Sequence, residues 1–556
     1  MYMYNLLIGG AAGQGIETTA AVLEKLLKKS GYHVFTVRDF MSRVRGGHNF
    51  TLIRFGSEII QSHSYKLDGI IALNDETVEL HKDQIHDNGF ILCDSKLATS
   101  DPKAIKIDMD AMAQALGNPR VSGSIATGAV LRLFGESADY FEDVLKSFVK
   151  ESVLDINVKA MTKGYNAVRA HFPKLESDAG DTMILSGFKA MSLGAIAAGL
   201  KFYSAYPMSP STSIMEFLAE KSEEAGIVVE QAEDEIAAVN MAIGASFAGA
   251  RAMTGTSGGG FSLMVEALGL SGMAEIPLVI ADVQRPGPVT GLPTRTEQSD
   301  LAFVASASQG EFPRMVIALR HHEDAFYQTI RAFDLAEKYQ IPVILLSDQY
   351  LADTSATVRP FDLSLITVAQ PAATYEGEGE YLRYRYTEDG ISQRLIPGKS
   401  SNFVTADSDE HDEFGRITEA ADVRIRMMDK RMKKLKKLGS ELQEPEFLGP
   451  QKYDTLLVGW GSTYGPIAEA VKALNEYTPD KFAALVFGDV FPLPTALLLE
   501  KSVSAKKIIN IEQNATGQLA GLIREYTGIV CTSSILKYDG RQISGEEITD
   551  RLVKGV

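Results

Sequence analysis

The sequence predicts an α/β protein built from three doubly wound domains whose sheets are mostly parallel, with helices on both faces. Three observations predict it. Short apolar runs alternate with helical patterns along most of the chain, as in repeated β-α-β units. Several of those runs end in glycine- or proline-rich turns that open a helix. At 556 residues the chain is too long for one hydrophobic core.

The elements follow in order. Residues 3–9 (MYNLLIG) read as a buried strand, GGAAGQGI turns into a helix reaching about Lys29, and HVFTVRD is the next strand. GIIALN, GFILCDS, AIKIDM and SGSIATGAVLRLF continue the α/β pattern, so a first domain is expected over 1–175. The polar stretch FPKLESDAGDT breaks the periodicity. A second domain is expected over 183–352, with strands in AGARAMTGT, PLVIADVQ and PVILLSD. Residues 353–450 read as a linker region of short strands and charged turns, with a helix in ITEAADVRIRMMDKRMKKLKKL. A third domain, 451–556, opens on TLLVGWGS.

Composition narrows the function. A net charge of −17 argues against nucleic acid or an anionic membrane as the main partner. No run of about 18 apolar residues is present, and the N-terminus lacks the basic start of a signal peptide. A cytoplasmic location is therefore expected. The only cysteines, Cys93 and Cys531, read as two stray thiols, and two cannot supply the roughly four thiolates of an iron–sulfur cluster.

Four motifs carry candidate chemistry. GGAAGQGI, with Gly10, Gly13 and Gly15, allows close backbone approach and could cradle an anion, but spacing alone favours a plain strand–helix turn. The loop SRVRGGHNF adds Arg43 and Arg45 as candidate anion contacts, with a solvated loop equally compatible. In YPMSPS, prolines hold a rigid turn that carries the hydroxyls of Ser209 and Ser211. Glu233, Asp234 and Glu235 open a helix, where the dipole favours negative charge, and Glu235 precedes the small-residue face IAAVNMAIGA. A carboxyl buried there against a flat cofactor would have a raised pKa and could exchange protons. GTSGGGFSLM is a glycine-rich turn after a strand. QRPGPVTGLPTRTEQSD places Arg285 and Arg295 in a rigid loop, suited to clamping a carboxylate or else simply solvated.

Read together, YPMSPSTSIME, QAEDEIAA with GASFAGARAMTGTSGGGFSLM, and QRPGPVTGLPTRTEQSDL resemble the α subunit of 2-oxoacid:ferredoxin oxidoreductases. GGAAGQGI with VRGGHNF resembles that family's γ domain, fused ahead of α. VGWGSTYG and IEQNATGQLAG resemble its transketolase C-terminal-like domain, and YTEDGIS, DEHDEFGRITE and DKRMKKL match its linker. The resemblance spans nearly the whole chain. It implies a γ-type Rossmann-like domain, a thiamine diphosphate (TPP)-binding pyrimidine-type domain and the transketolase-like domain.

It also implies roles. Glu235 matches the glutamate that touches the TPP aminopyrimidine, with Glu233 as the alternative. Ser209 matches a threonine near substrate and cofactor. Arg285 and Thr294 match residues that hold the 2-oxoacid or coenzyme A. Tyr206, Pro207, Ser257 and Gly258 fall in the cofactor-binding turns, and Gly10, Gly13, Gly15, Arg43 and Arg45 become candidate coenzyme A contacts. The implied reaction is oxidative decarboxylation of a 2-oxoacid, 2-oxoglutarate favoured, to an acyl-CoA, with electrons passing to ferredoxin. The chain supplies neither cluster cysteines nor a GDG…N block for Mg2+ and pyrophosphate. Both are therefore expected on a separate β subunit, in an αβ or (αβ)2 assembly. The alternatives are an indolepyruvate or branched-chain enzyme, a non-catalytic binding subunit of the same fold and, with least support, a nucleotide-binding dehydrogenase. Three departures from the family pattern stand out: Met208-Ser209 for Ile-Thr, Gly187-Phe188-Lys189-Ala190 for GNEA, and Pro286 and Val289 where Gly and Ser are usual. The basic helix MDKRMKKLKKL reads as a solvated face that could help contact a partner.

Overall fold

A computed structural model of the chain describes residues 3–41, 47–368, 380–399, 401–479 and 481–555. The chain groups into two compact units, residues 1–185 with 353–360, and residues 186–352 with 361–556. Three α/β sheets, mostly parallel, bear out the predicted fold class.

The first unit holds an eight-stranded sheet. In spatial order its strands are Ala104–Ile107, Ile85–Asp94, Leu67–Ala72, Met3–Ala11, His48–Gly56, His33–Asp39, Ser355–Val358 and Met183–Ser186. The strands from Ala104–Ile107 to Met3–Ala11 are parallel. His48–Gly56 then inserts antiparallel between Met3–Ala11 and His33–Asp39. The sheet is therefore mixed on one side, because HNF, read as the end of a loop, opens a strand that runs on through TLIRFG. SGSIATGAVLRLF forms the helix Ser122–Leu133, buried by its small residues Ala126, Gly128 and Ala129.

The second unit holds two sheets. The seven-stranded one runs Asp489–Phe491, Met315–Ala318, Pro342–Asp348, Leu278–Gln284, Ala252–Thr256, Phe202–Ala205 and Val228–Gln231. It is parallel except for the edge pair Met315–Ala318 with Asp489–Phe491. Its central strands Leu278–Gln284 and Pro342–Asp348 are buried at every residue, as expected for a parallel sheet covered on both faces. The five-stranded sheet runs Glu446–Leu448, Phe482–Phe487, Thr455–Trp460, Lys507–Glu512 and Ser533–Leu536. The core of this unit includes Phe261, Leu301, Val316, Trp460 and Leu519.

The basic helix Ala421–Leu438 does not present a solvated face alone. Lys430 and Lys434 reach the buried Glu275 carboxylate at 2.6 and 2.5 Å, and Arg431 bonds Glu410 at 2.7 Å. Residues 430 and 434, one turn apart, share a face, so both ammonium groups converge on one carboxylate. Of the run's cations, Lys433, Lys436 and Lys437 face outward. Burial pushes Glu275 up, but Lys430, Lys434 and Arg383 outweigh it and hold the carboxyl well below its usual range. Burial pushes Lys434 down to about 7, only partly offset by Glu275.

Candidate active site

Four neighbouring strands of the seven-stranded sheet end where the predicted residues begin. Phe202–Ala205 leads into Tyr206, Pro207 and Ser209; Val228–Gln231 into Glu235; Ala252–Thr256 into Ser257 and Gly258; Leu278–Gln284 into Arg285. In an open parallel sheet, ligands bind at these carboxyl ends, where loops and helix N-termini converge.

The acidic triplet divides cleanly. Asp234 is the N-cap of the helix Glu235–Phe247, its Oδ1 accepting from the Ala237 amide at 2.7 Å. Glu233 is exposed. Glu235 is 3% exposed, and its Oε1 is buried with no hydrogen-bond partner. A β-carbon on Gly260 would collide with Thr256 Oγ1 and lie 2.5 Å from Glu235 Oε1. The carboxyl thus fills the space that a side chain at Gly260 would take, against the first turn of the helix Gly258–Met273. A buried acceptor without a donor is costly, so this oxygen is poised for a ligand group.

Arg285 and Ser209 come together through the main chain: Arg285 Nη1 donates to the Ser209 carbonyl at 2.6 Å. Burial lowers the Arg285 pKa without changing its charge at neutral pH. The Ser209 hydroxyl sits on an exposed turn beside the exposed Tyr206, and Ser211 is instead buried and turned back to the Met208 carbonyl. Thr294 lies half-buried further along the Arg285 loop, and the bond between Arg285 and Ser209 does not involve it. Val289 carries φ 59°, a left-handed conformation that costs a β-branched residue about 1–3 kcal/mol. It is 84% exposed. Lys189, of the departure at residues 187–190, is exposed with its Nζ 5.9 Å from the ring centres of Phe188 and Phe217.

Two groups of polar residues escaped sequence reasoning. Gln298 is fully buried: its Nε2 donates to the Trp460 carbonyl at 2.8 Å, its amide to the Gln513 carbonyl at 2.7 Å, and its carbonyl accepts from Asn514 Nδ2. Glu512 orients that network. It accepts from Trp460 Nε1, Asn510, Asn514 and the amides of Leu519 and Ala520. The block IEQNATG therefore anchors the loop that begins at Arg285. The second group is the carboxyls of Asp282 and Asp348, which are buried, and of Asp300, which is half-buried with its Oδ2 shut off from solvent; they are invisible in sequence because nothing in a strand such as LVIADVQ marks its aspartate as unpaired.

In the first unit, Gly15 adopts a left-handed conformation (φ 81°) and caps the helix Ile16–Lys29. Gly13 and Gly15, with Thr18, Phe40, Asn49 and Phe50, line a cavity of about 380 Å³. Gly10 packs instead against Gln14 and Leu73. Arg43 and Arg45 lie outside the described residues. Cys93 and Cys531 are free thiols. Among the described residues no group of three or more His, Cys, Asp or Glu could hold a metal ion, and no helix is long and apolar enough to cross a membrane.

Comparison with known proteins agrees with the fold. Residues 193–430 match the family described as pyruvate flavodoxin/ferredoxin oxidoreductase, thiamine diphosphate-binding, and residues 5–167 match pyruvate ferredoxin/flavodoxin oxidoreductase. Over 99% of its length the chain is 32% identical to a 2-oxoacid:ferredoxin oxidoreductase subunit alpha from a Sulfolobus species, covering 96% of that relative. The chain belongs to the alpha-subunit family of 2-oxoacid:ferredoxin oxidoreductases. It is also 31% identical to the 2-oxoglutarate oxidoreductase subunit KorA of Mycobacterium tuberculosis, over 77% of this chain and 67% of that one. Among solved structures, a 2-oxoglutarate:ferredoxin oxidoreductase from Magnetococcus marinus, with 2-oxoglutarate, coenzyme A and succinyl-CoA bound, superposes with a TM-score of 0.94. The two are 32% identical, over 100% of this chain and 99% of that one. The resemblance read from the motifs is thus borne out, and the chain is a subunit of an oxidoreductase with ferredoxin as acceptor.

Proposed function

We propose that this chain is the alpha subunit of a 2-oxoglutarate:ferredoxin oxidoreductase that forms succinyl-CoA and CO2 and passes two electrons to ferredoxin. The observation that carries the reading is Glu235, a buried carboxyl whose Oε1 has no partner and whose space is kept open by Gly260. The likeness to the Magnetococcus marinus enzyme, solved with 2-oxoglutarate and succinyl-CoA, and to KorA favours the five-carbon dicarboxylate.

TPP, when bound, supplies the electron sink that allows the acid to lose its carboxyl as CO2. The chain's own residues do the rest. Glu235 gives or takes a hydrogen bond at the aminopyrimidine and so sets where its proton resides. Tyr206, Pro207, Ser257 and Gly258 line the ring's seat. Arg285, already fixed to the Ser209 carbonyl, presents its remaining N–H groups to the substrate carboxylate. The hydroxyls of Ser209 and Thr294 donate to the substrate. A separate β subunit supplies the iron–sulfur cluster and the Mg2+–pyrophosphate site, in an αβ or (αβ)2 assembly. The glycine cradle of the γ-type domain, with Gly13 and Gly15, holds part of coenzyme A.

The test is anaerobic reduction of a viologen by the chain co-expressed with its β subunit, with TPP and coenzyme A. A panel of 2-oxoglutarate, pyruvate, indolepyruvate and branched-chain 2-oxoacids provides the arms. The proposal expects coenzyme A-dependent reduction that is fastest with 2-oxoglutarate. A stronger response to indolepyruvate or a branched-chain acid would reassign the substrate. A cluster-loaded complex inert to every acid would overturn the catalytic reading.

A further inference from the structure

Beneath the Ser257–Gly260 turn lies a pair of carboxyls to which neither motif nor family likeness assigns a role. Asp282 stands on the central strand Leu278–Gln284, between Thr256 and Leu346 of its neighbours. It is fully buried, and both of its carboxyl oxygens lack a hydrogen-bond partner. Asp300 opens the helix Leu301–Ser306, and its main-chain amide donates to Gln284 Oε1 at 3.0 Å. Gln284 is itself held by the Ser347 carbonyl at 2.9 Å. The Asp300 carboxyl rests on Gly258: a β-carbon there would lie 2.7 Å from its Cγ and Oδ1. Its Oδ2 is buried without a partner, as is Ser257 Oγ. No lysine or arginine among the described residues pairs with either aspartate. The charged groups that face them are each other and Glu297, which in turn faces Asp539.

We propose that Asp282 and Asp300 retain a proton that keeps their like charges from coexisting, and that in this state they position the Ser257–Gly260 turn for the cofactor; the role rests on the TPP reading above. Two carboxyls buried together without a cation do not both ionise readily. Burial pushes both upward, Asp300 to about 7 and Asp282 well above its ordinary value. A protonated acid has an O–H to donate, which a carboxylate lacks. When the second carboxyl ionises, repulsion and the search for water draw Asp300 off Gly258. Gly258 lies two residues from Gly260, whose bare α-carbon seats Glu235. Asp300 thus acts on the cofactor through the turn, as a positioning residue.

The test is calorimetric titration of the co-expressed αβ complex with TPP at about pH 6.5 and about pH 9, on wild type, Asp300→Asn and Asp282→Asn. The wild-type dissociation constant should rise about tenfold or more across that range, and the rise should shrink to about threefold or less in Asp300→Asn, which carries no titrating proton. Should Asp300→Asn fail to fold, Asp282→Asn reads the same pair. Wild type alone provides a second measurement: titration at about pH 8 in buffers of different ionisation enthalpy should show net proton uptake on binding. Identical pH dependence in wild type and both variants, or no proton uptake by wild type, overturns the pair while leaving the TPP reading intact. Absence of TPP binding at either pH overturns both.

Discussion

Glu235 and Gly260 behave as one device at the scale of the residue. The carboxyl is buried at the start of its helix, and the glycine leaves the space it fills. Glu235→Gln keeps the shape and replaces the carboxyl by an amide, so if Glu235 acts on the cofactor as proposed, turnover should fall by about 10²–10⁴ with little change in melting temperature. Gly260→Ala should act differently, because its methyl group collides with Thr256 and Glu235. It should cost about 1–3 kcal/mol in stability, read by thermal denaturation, and lower turnover as well. If Arg285 clamps the substrate carboxylate as proposed, Arg285→Ala removes a charge-assisted contact. The KM for the 2-oxoacid should rise about tenfold or more while kcat falls less, as steady-state kinetics would show.

At the scale of the element, the helix Ala421–Leu438 and the loop after Arg285 show how far sequence carries. The helix was legible from its period, and three of its cations were misplaced, because their partners, Glu275 for Lys430 and Lys434 and Glu410 for Arg431, lie outside the helix. The left-handed backbone of Glu275 (φ 52°) gives no warning in the string of letters. Glu275→Gln leaves two buried ammonium groups facing a neutral amide and should destabilise the second unit by about 3–5 kcal/mol, measured by chemical denaturation. The strand His48–Gly56 was missed for another reason. Its antiparallel pairing is set by neighbours on both sides, while its first residues sit in a glycine-rich stretch that reads as loop. The turns at residues 206–211, 233–235 and 257–260 were legible because each combines a strand end with proline, acid or glycine. The network from Gln298 to Glu512 was not, since its members look like ordinary polar loop residues until the fold brings them together.

For the whole molecule, acids desolvated without a cation beside them and a depressed lysine set the pH response. Asp300 at about 7 and Asp348 at about 6 are raised by burial, so the folded state holds protons that the unfolded chain has released. Their contribution to stability is present below about pH 4 and is lost as pH rises toward about 7. Lys434 is lowered to about 7, so its unfavourable contribution fades as pH rises from there toward its unfolded value. Asp300→Asn should therefore raise the melting temperature relative to wild type near pH 7.5 and leave it nearly unchanged near pH 4.5, by scanning calorimetry. The chain's two compact units each carry a candidate ligand site of their own, the glycine cradle in one and the Glu235 turn in the other. Exchange of the thiamine C2 proton for deuterium in the αβ complex, quenched in acid and read by NMR for wild type and Glu235→Gln, tests the role of Glu235 directly. If Glu235 controls the proton of the bound aminopyrimidine, the variant should exchange slower by about 10² or more. Equal exchange rates at equal TPP occupancy would contradict that role and move the proton to another group.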